Sequence, residues 1–343
     1  MPGDSTLTLF IPDLFGFQSI LSTLSKDELS QLPETRFPVL EKWLSRGLIK
    51  KSSEQNDLVL SEFGVSIEED NPYAAFTLLA EDIDTFDSDA YWLRADPVYL
   101  QADRDTALLV AHEELELSQD EASKLADEIN NHFSDEPWQL HALHPHRWYL
   151  QLEQAQNLVT HPLANVLGED INKFNSVGDD AKYWLKINNE IQMLLHGTNV
   201  NFERDSRAML TVNSLWLWGG GTLPKKARCD CLYSRIFTNN IYFKGIANFC
   251  DIDIKPLNTA LEPQSFVVLD MLSKHVQSRD LYSYIQELNK IESRYLTQCQ
   301  ALLNEGKVKQ LKLISSDGFS ITITTRLLRR WWKRIKSYSG FKL

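Results

Sequence analysis

The run Leu7–Ile11, closed at once by Pro12 and Asp13, constrains the fold more than any other segment of the chain. Four of its five residues are apolar, so it reads as a short strand buried in a sheet rather than one with a wet face. Asp13 then stands at the strand's C-terminal end, the edge at which open α/β sheets bind ligands. Further on, Ser265–Leu269 reads as a second buried strand and Gln310–Ile314 as a third, ending near Asp317. Helical spacing lies between them: Leu40, Trp43, Leu44 and Leu48 with Gly47 placed to stop the helix, Trp184 to Leu195 before Gly197, and a long stretch from Tyr282 to Leu303. Strand, helix and strand in that order predict an α/β fold with a largely parallel sheet flanked by helices.

A different pattern occupies residues 85–160. Strand-like runs at Tyr91–Leu93, Pro97–Leu100, Ala107–Ala111, Trp138–Leu143 and Arg147–Leu152 surround one helix, opened by the capping box Ser118-Gln119-Asp120-Glu121. This predicts an inserted α+β domain at 85–160, within a discontinuous α/β core of 1–84 and 161–325. The core strand Ser214–Trp218, running into Gly219, Gly220 and Gly221, is expected in the second core segment. A chain of 343 residues has room for two such units.

Charge separates the last segment from the rest. Residues 326–343 hold seven basic residues and no acid, so the net charge of −12 divides into +7 there and −19 over residues 1–325. The acidic balance argues against general nucleic-acid binding. Within the basic segment, Leu327, Leu328, Trp331 and Ile335 fall on one helical face, and Arg329, Arg330, Lys333 and Arg334 mostly on the other. With Trp331 and Trp332, this reads either as an amphipathic helix contacting an anionic membrane or a partner protein, or as a terminal helix packed on the acidic body. No run of about 20 apolar residues is present and the first residues fit neither a signal nor a transit peptide. Together with four scattered cysteines, these features lead us to expect a cytoplasmic protein.

Three groups of residues invite chemical readings. The glycines 219–221 can bring backbone amides to an anion, or simply turn the chain after a strand; the Lys and Ser/Thr of a phosphate loop are missing. His141, His144 and His146 lack any standard metal-ligand spacing and read as a loop beside a strand, and Cys229 and Cys231 read as structural thiols. Asp13 and Asp317, each after a strand, can converge at one sheet edge as metal ligands or stand there as solvated acids.

The segments Tyr91–Leu100, Ala102–Asp105, Asn188–His196 and Val212–Gly221, with Ile11-Pro12-Asp13, resemble the RpfE-type regulatory proteins of bacteria, distant relatives of the archaeal-type cofactor-independent phosphoglycerate mutases in the alkaline phosphatase superfamily. The resemblance implies an alkaline-phosphatase-like α/β core with an inserted domain. Catalytic relatives carry a serine nucleophile beside an aspartate where this chain has Asn71 and Pro72, and neither side chain can attack phosphorus. The ligand positions that follow the second buried strand hold Asp270, Leu272, His275 and Arg279, and the late Asp-His pair is Asp317-Gly318. The resemblance therefore implies a non-catalytic regulatory or scaffold protein with no expected cofactor. In that reading Asp13 and Asp317 are vestigial metal positions, and a cleft with Asp13 and Gly219–Gly221 binds a phosphorylated small molecule. The competing expectation is a Mn- or Mg-dependent phosphoglycerate mutase or phosphatase using a displaced nucleophile such as Thr77 or Ser66.

Overall fold

The structure, a computed structural model, describes residues 5–21, 36–51, 57–65, 71–81, 87–103, 106–225, 229 and 231–341. The chain divides into two compact units, the first formed by Met1–Ser66 with Lys226–Leu343 and the second by Ile67–Lys225.

The first unit is built on a seven-stranded sheet in the order β2-β12-β11-β1-β10-β8-β9. Its middle is β1 (Thr6–Phe10), hydrogen-bonded in parallel to β10 (Ser265–Val268) on one side and β11 (Gln310–Ile314) on the other. Beyond β10, the short strands β8 (Arg235–Phe237) and β9 (Asp253–Lys255) continue the parallel set. On the other flank β12 (Phe319–Ile323) and β2 (Leu48–Lys51) are antiparallel. Residues 7–10 of β1 and all of β10 are buried, as continuous apolar runs in a helix-covered sheet should be. The core gathers Leu7, Leu9, Val267, Leu311 and Leu313 with Trp43, Tyr284, Leu288 and Leu296 from the helices.

The helix Pro38–Arg46 begins without a side-chain cap of its own. A distant carboxylate supplies one: Glu292 accepts from the amides of Val39 (2.6 Å) and Leu40 (3.1 Å). Glu292 opens a single π-helical turn, Glu292–Leu296, between the helices Leu281–Ile291 and Thr297–Asn304, where sequence spacing predicts one uninterrupted helix.

The second unit is an antiparallel sheet with helices. Its spine is β3 (Tyr91–Asp103), which pairs with β6 (Arg147–Leu152) and β7 (Ser214–Gly221) along its first part and with β4 (Thr106–Ala111) toward its end; β5 (Trp138–His144) lies beyond β6. The capping box forms as its sequence requires, with Ser118 accepting from the Glu121 amide and Glu121 from the Ser118 amide, and starts the helix Gln119–His132.

Two expectations are corrected here. Ser214–Trp218 is not a strand of the parallel core: β7 pairs antiparallel with β3, so residues 161–225 join the second unit instead of the first. The helix Ala181–His196 belongs with them, its Trp184, Ile187, Ile191 and Leu195 packing among Leu125, Ile129, Trp138 and Leu150. The second unit therefore spans 67–225 and not 85–160. The expected helix across 326–336 also does not form: the helix Thr325–Leu328 stops there and the chain continues through turns to Tyr338. Arg329 with Lys333, and Arg330 with Arg334, would be like-charge neighbours four residues apart in a longer helix.

Candidate functional site

Parallel strands bring their C-terminal ends to one edge of the first unit's sheet. After β1 the chain leaves through Ile11-Pro12-Asp13, after β11 through Ser315-Ser316-Asp317, and after β10 through Leu269 to Ser273. Backbone bonds tie these exits together: the Ile11 amide donates to Ile314 O and the Leu269 amide to Phe10 O, both at 2.9 Å. The Asp13 amide donates to Ser316 Oγ at 2.9 Å. Asp13 has φ +55°, a left-handed conformation that aspartate tolerates better than most side chains. Its carbonyl accepts from the Tyr284 hydroxyl (3.0 Å), which also reaches Leu14 O (2.8 Å) and the Tyr338 hydroxyl (2.9 Å). The loop that presents Asp13 is thus held by buried tyrosines.

The side chain of Asp13 is hydrogen-bonded to Ser273 and Ser316 and lies within electrostatic reach of Asp317. Burial pushes its pKa above the ordinary carboxylate value, the Asp317 charge adds to the rise, and the two serines oppose it. Asp317 is held by the Ser315 hydroxyl at 2.8 Å. Nearby in the same topology, Asp270 accepts from Asn240 Nδ2 at 2.7 Å. Asp13 and Asp317 thus stand at one sheet edge, close enough to interact electrostatically. What accompanies them is hydroxyls, with Asn240 on Asp270. Among the described residues no three His, Cys, Asp or Glu side chains are grouped so as to hold a metal ion. Two divalent cations call for several carboxylates and imidazoles, so this donor set does not fit the metal pair that the sequence resemblance implies.

Most of the other residues singled out belong to the second unit. Gly219, Gly220 and Gly221 end β7 and are required by close packing. A Cβ on Gly219 would sit 2.8 Å from Tyr73 Cβ, one on Gly220 would strike Tyr91 Oη and Leu93 Cδ1, and one on Gly221 would lie 2.6 Å from Pro72 Cβ. Gly219 (φ +65°) also donates its amide to Thr160 Oγ1. The triple glycine is therefore the place where a sheet end and the start of the helix Tyr73–Leu78 touch, and an anion cradle would need that space empty. Asn71 and Pro72 precede that helix in the second unit. Thr77 is fully buried with its hydroxyl donated to Ala74 O, so it is not a free nucleophile; Ser66 lies outside the described residues. His141 and His144 are on β5 and His146 in the turn after it, all half-buried, with the rings of His144 and His146 6.0 Å apart. Burial lowers the pKa of each. In the first unit Cys229 and Cys250 bring their sulfurs to 2.7 Å as free thiols.

Two features of the second unit escaped the sequence reading. Arg94 and Asp96 are buried at 4% and 0% exposure as an ion pair, with Arg94 Nη2 2.6 Å from Asp96 Oδ1. Asp96 also accepts from the Trp148 amide (3.3 Å) and Trp218 Nε1 (2.7 Å), while the guanidinium lies over the rings of Tyr149 and Trp218. Opposite charges at i and i+2 within the otherwise largely apolar run Tyr91–Leu100, hence on one face, are the available signal. The second feature is a recess of about 1130 Å³ along the helix Ala181–His196, lined by Asn188, Gln192, Asn213, Phe174, Met193 and Trp216. Asn188 Oδ1 is buried there without a hydrogen-bond partner.

No protein family's sequence pattern matches the chain, and no curated protein is significantly similar to it. Among solved structures it is similar to the PH0037 protein from Pyrococcus horikoshii, with 12% identity and a TM-score of 0.52 over 94% of this chain and 88% of that one. The two share a fold. It is also similar to the cofactor-independent phosphoglycerate mutase from Thermoplasma acidophilum, with 13% identity and a TM-score of 0.44 over 98% and 94% of the two chains.

Proposed function

We propose that this chain is a regulatory or scaffold protein on a phosphomutase-like, alkaline-phosphatase-type fold, acting by binding and not by phosphoryl transfer. The observation that carries this reading is the donor set around Asp13: among the described residues, the Asp317 carboxylate and serine hydroxyls accompany it, in place of the carboxylate and imidazole cluster that paired metal ions need. Without such cations, the acids at this edge repel a phosphorylated ligand. The packing of Gly219–Gly221 argues in the same sense against an anion there. A partly apolar, amide-lined recess with an unpartnered amide oxygen is the better seat for a ligand, and its lining favours a neutral, hydrogen-bonding one.

Purified protein supplied with Mn²⁺ or Mg²⁺ should leave 3-phosphoglycerate unchanged, and its melting temperature should not move with phosphoglycerates. Interconversion of 3- and 2-phosphoglycerate that disappears in Asp13→Ala would overturn the proposal. That outcome is the second reading, a metal-dependent mutase or phosphatase, and the meeting of Asp13 and Asp317 at the ligand-binding edge is the observation in its favour.

A further inference from the structure

The segment after Leu328 is fastened at both ends and bare between them. At its start Leu328 is buried and its carbonyl accepts from Arg46 Nη1 at 2.7 Å. At its end the Lys336 amide donates to Ser45 Oγ (3.0 Å), the Tyr338 amide to Glu41 Oε1 (3.1 Å), and the Tyr338 ring is buried beside Phe17 and Phe37. Between these fastenings Trp331 is 80% exposed, Trp332 65% and Ile335 44%. Beside them Arg330, Lys333, Arg334 and Lys336 line a recess of about 360 Å³ bordered by Leu48, itself largely exposed, and by Phe341. Among the described residues no carboxylate forms an ion pair with Arg329, Arg330, Lys333, Arg334 or Lys336.

We propose that residues 329–336 dock this protein on an anionic bilayer surface, with Trp331, Trp332 and Ile335 entering the headgroup boundary and the four cations of the recess taking lipid phosphates. Indole rings have their preferred place at that boundary, and lysine and arginine just outside it are attracted by anionic lipid. A single-stranded nucleic acid would also meet cations and tryptophans, but it needs rings on which successive bases stack. Here the two indoles are perpendicular, at 84° with centroids 6.1 Å apart, and Ile335, three residues on, is exposed as well. Such a surface suits hydrocarbon better than bases. Since both fastenings hold the loop in place, little ordering remains to oppose docking.

The full chain should co-sediment with vesicles of phosphatidylcholine mixed with phosphatidylglycerol and stay in solution with phosphatidylcholine alone, and added salt should release it. Trp331→Ser with Trp332→Ser should abolish the partition. Arg330→Gln, Lys333→Gln and Arg334→Gln should each weaken it roughly fivefold. All these side chains are outside the core, so melting temperatures should match the parent and exclude a folding defect. Equal binding to both vesicle types, retained binding in the double tryptophan variant, or binding to single-stranded RNA with none to vesicles would each overturn the proposal.

Discussion

Two aspartates, one within a strand and one just past a strand's end, show opposite uses of a carboxylate. Asp96 in the second unit is fully buried and fully answered: arginine, a backbone amide and an indole donate to it. Asp13 in the first unit is half-buried, in a left-handed conformation, and faces another acid. A charge whose surroundings neutralise it holds a structure together. One whose surroundings raise its energy marks a place kept for some other reason, which is the usual physical signature of a site.

That contrast breaks if the two positions respond alike. Asp96→Ala should have the largest effect, since it strands the Arg94 guanidinium in the interior; a loss of about 3–5 kcal/mol in denaturant unfolding is expected. A loss under about 1 kcal/mol would mean the pair contributes little. Gly220→Ala tests whether the triple glycine answers to packing. Forcing a methyl against Tyr91 and Leu93 should cost about 1–3 kcal/mol, and an unchanged stability would reopen the anion reading. Glu292→Gln removes the charge that caps Pro38–Arg46 and should cost about 1 kcal/mol.

Asp13→Asn should have the smallest effect and the opposite sign. Asparagine accepts the left-handed backbone and removes the repulsion from Asp317, so stability near neutral pH should stay equal or rise slightly. In the parent, the raised pKa means that the folded state holds this proton more tightly than the unfolded one. Its contribution is therefore present at acid pH and is lost as pH climbs from the ordinary aspartate value through the raised one. The variant should lack that decline; an identical pH profile would show that Asp13 is an ordinary solvated acid.

The legible parts of this molecule were those whose cause is local. The run Leu7–Ile11, the Ser118 capping box and the spacing from Trp184 to Leu195 each carry their own period or cap, and each became the expected element. Where Leu215 to Trp218 pairs is not local. Its residues suit a buried strand in either sheet, and only β3, more than 100 residues earlier, decides between them. The 85–160 boundary failed with it. The basic helix fails for another reason: its apolar spacing suits a helix, but cations one turn apart repel one another. At the sheet edge, strand ends place Asp13 and Asp317 on one side but leave open whether they are metal ligands or solvated acids, and the Arg94–Asp96 pair is not legible because a strand pattern does not say which face is dry.

The position of β1 carries a cost in time. The strand made first stands at the centre of its sheet, yet both of its neighbours come from the last third of the chain, at 265–268 and 310–314. During synthesis this apolar ribbon must therefore wait, with both edges open, while every residue of the second unit is made. The second unit, a continuous stretch, can close on itself in that interval. Slow, late completion of the sheet, and vulnerability of the nascent chain to edge-to-edge association, follow from that order alone.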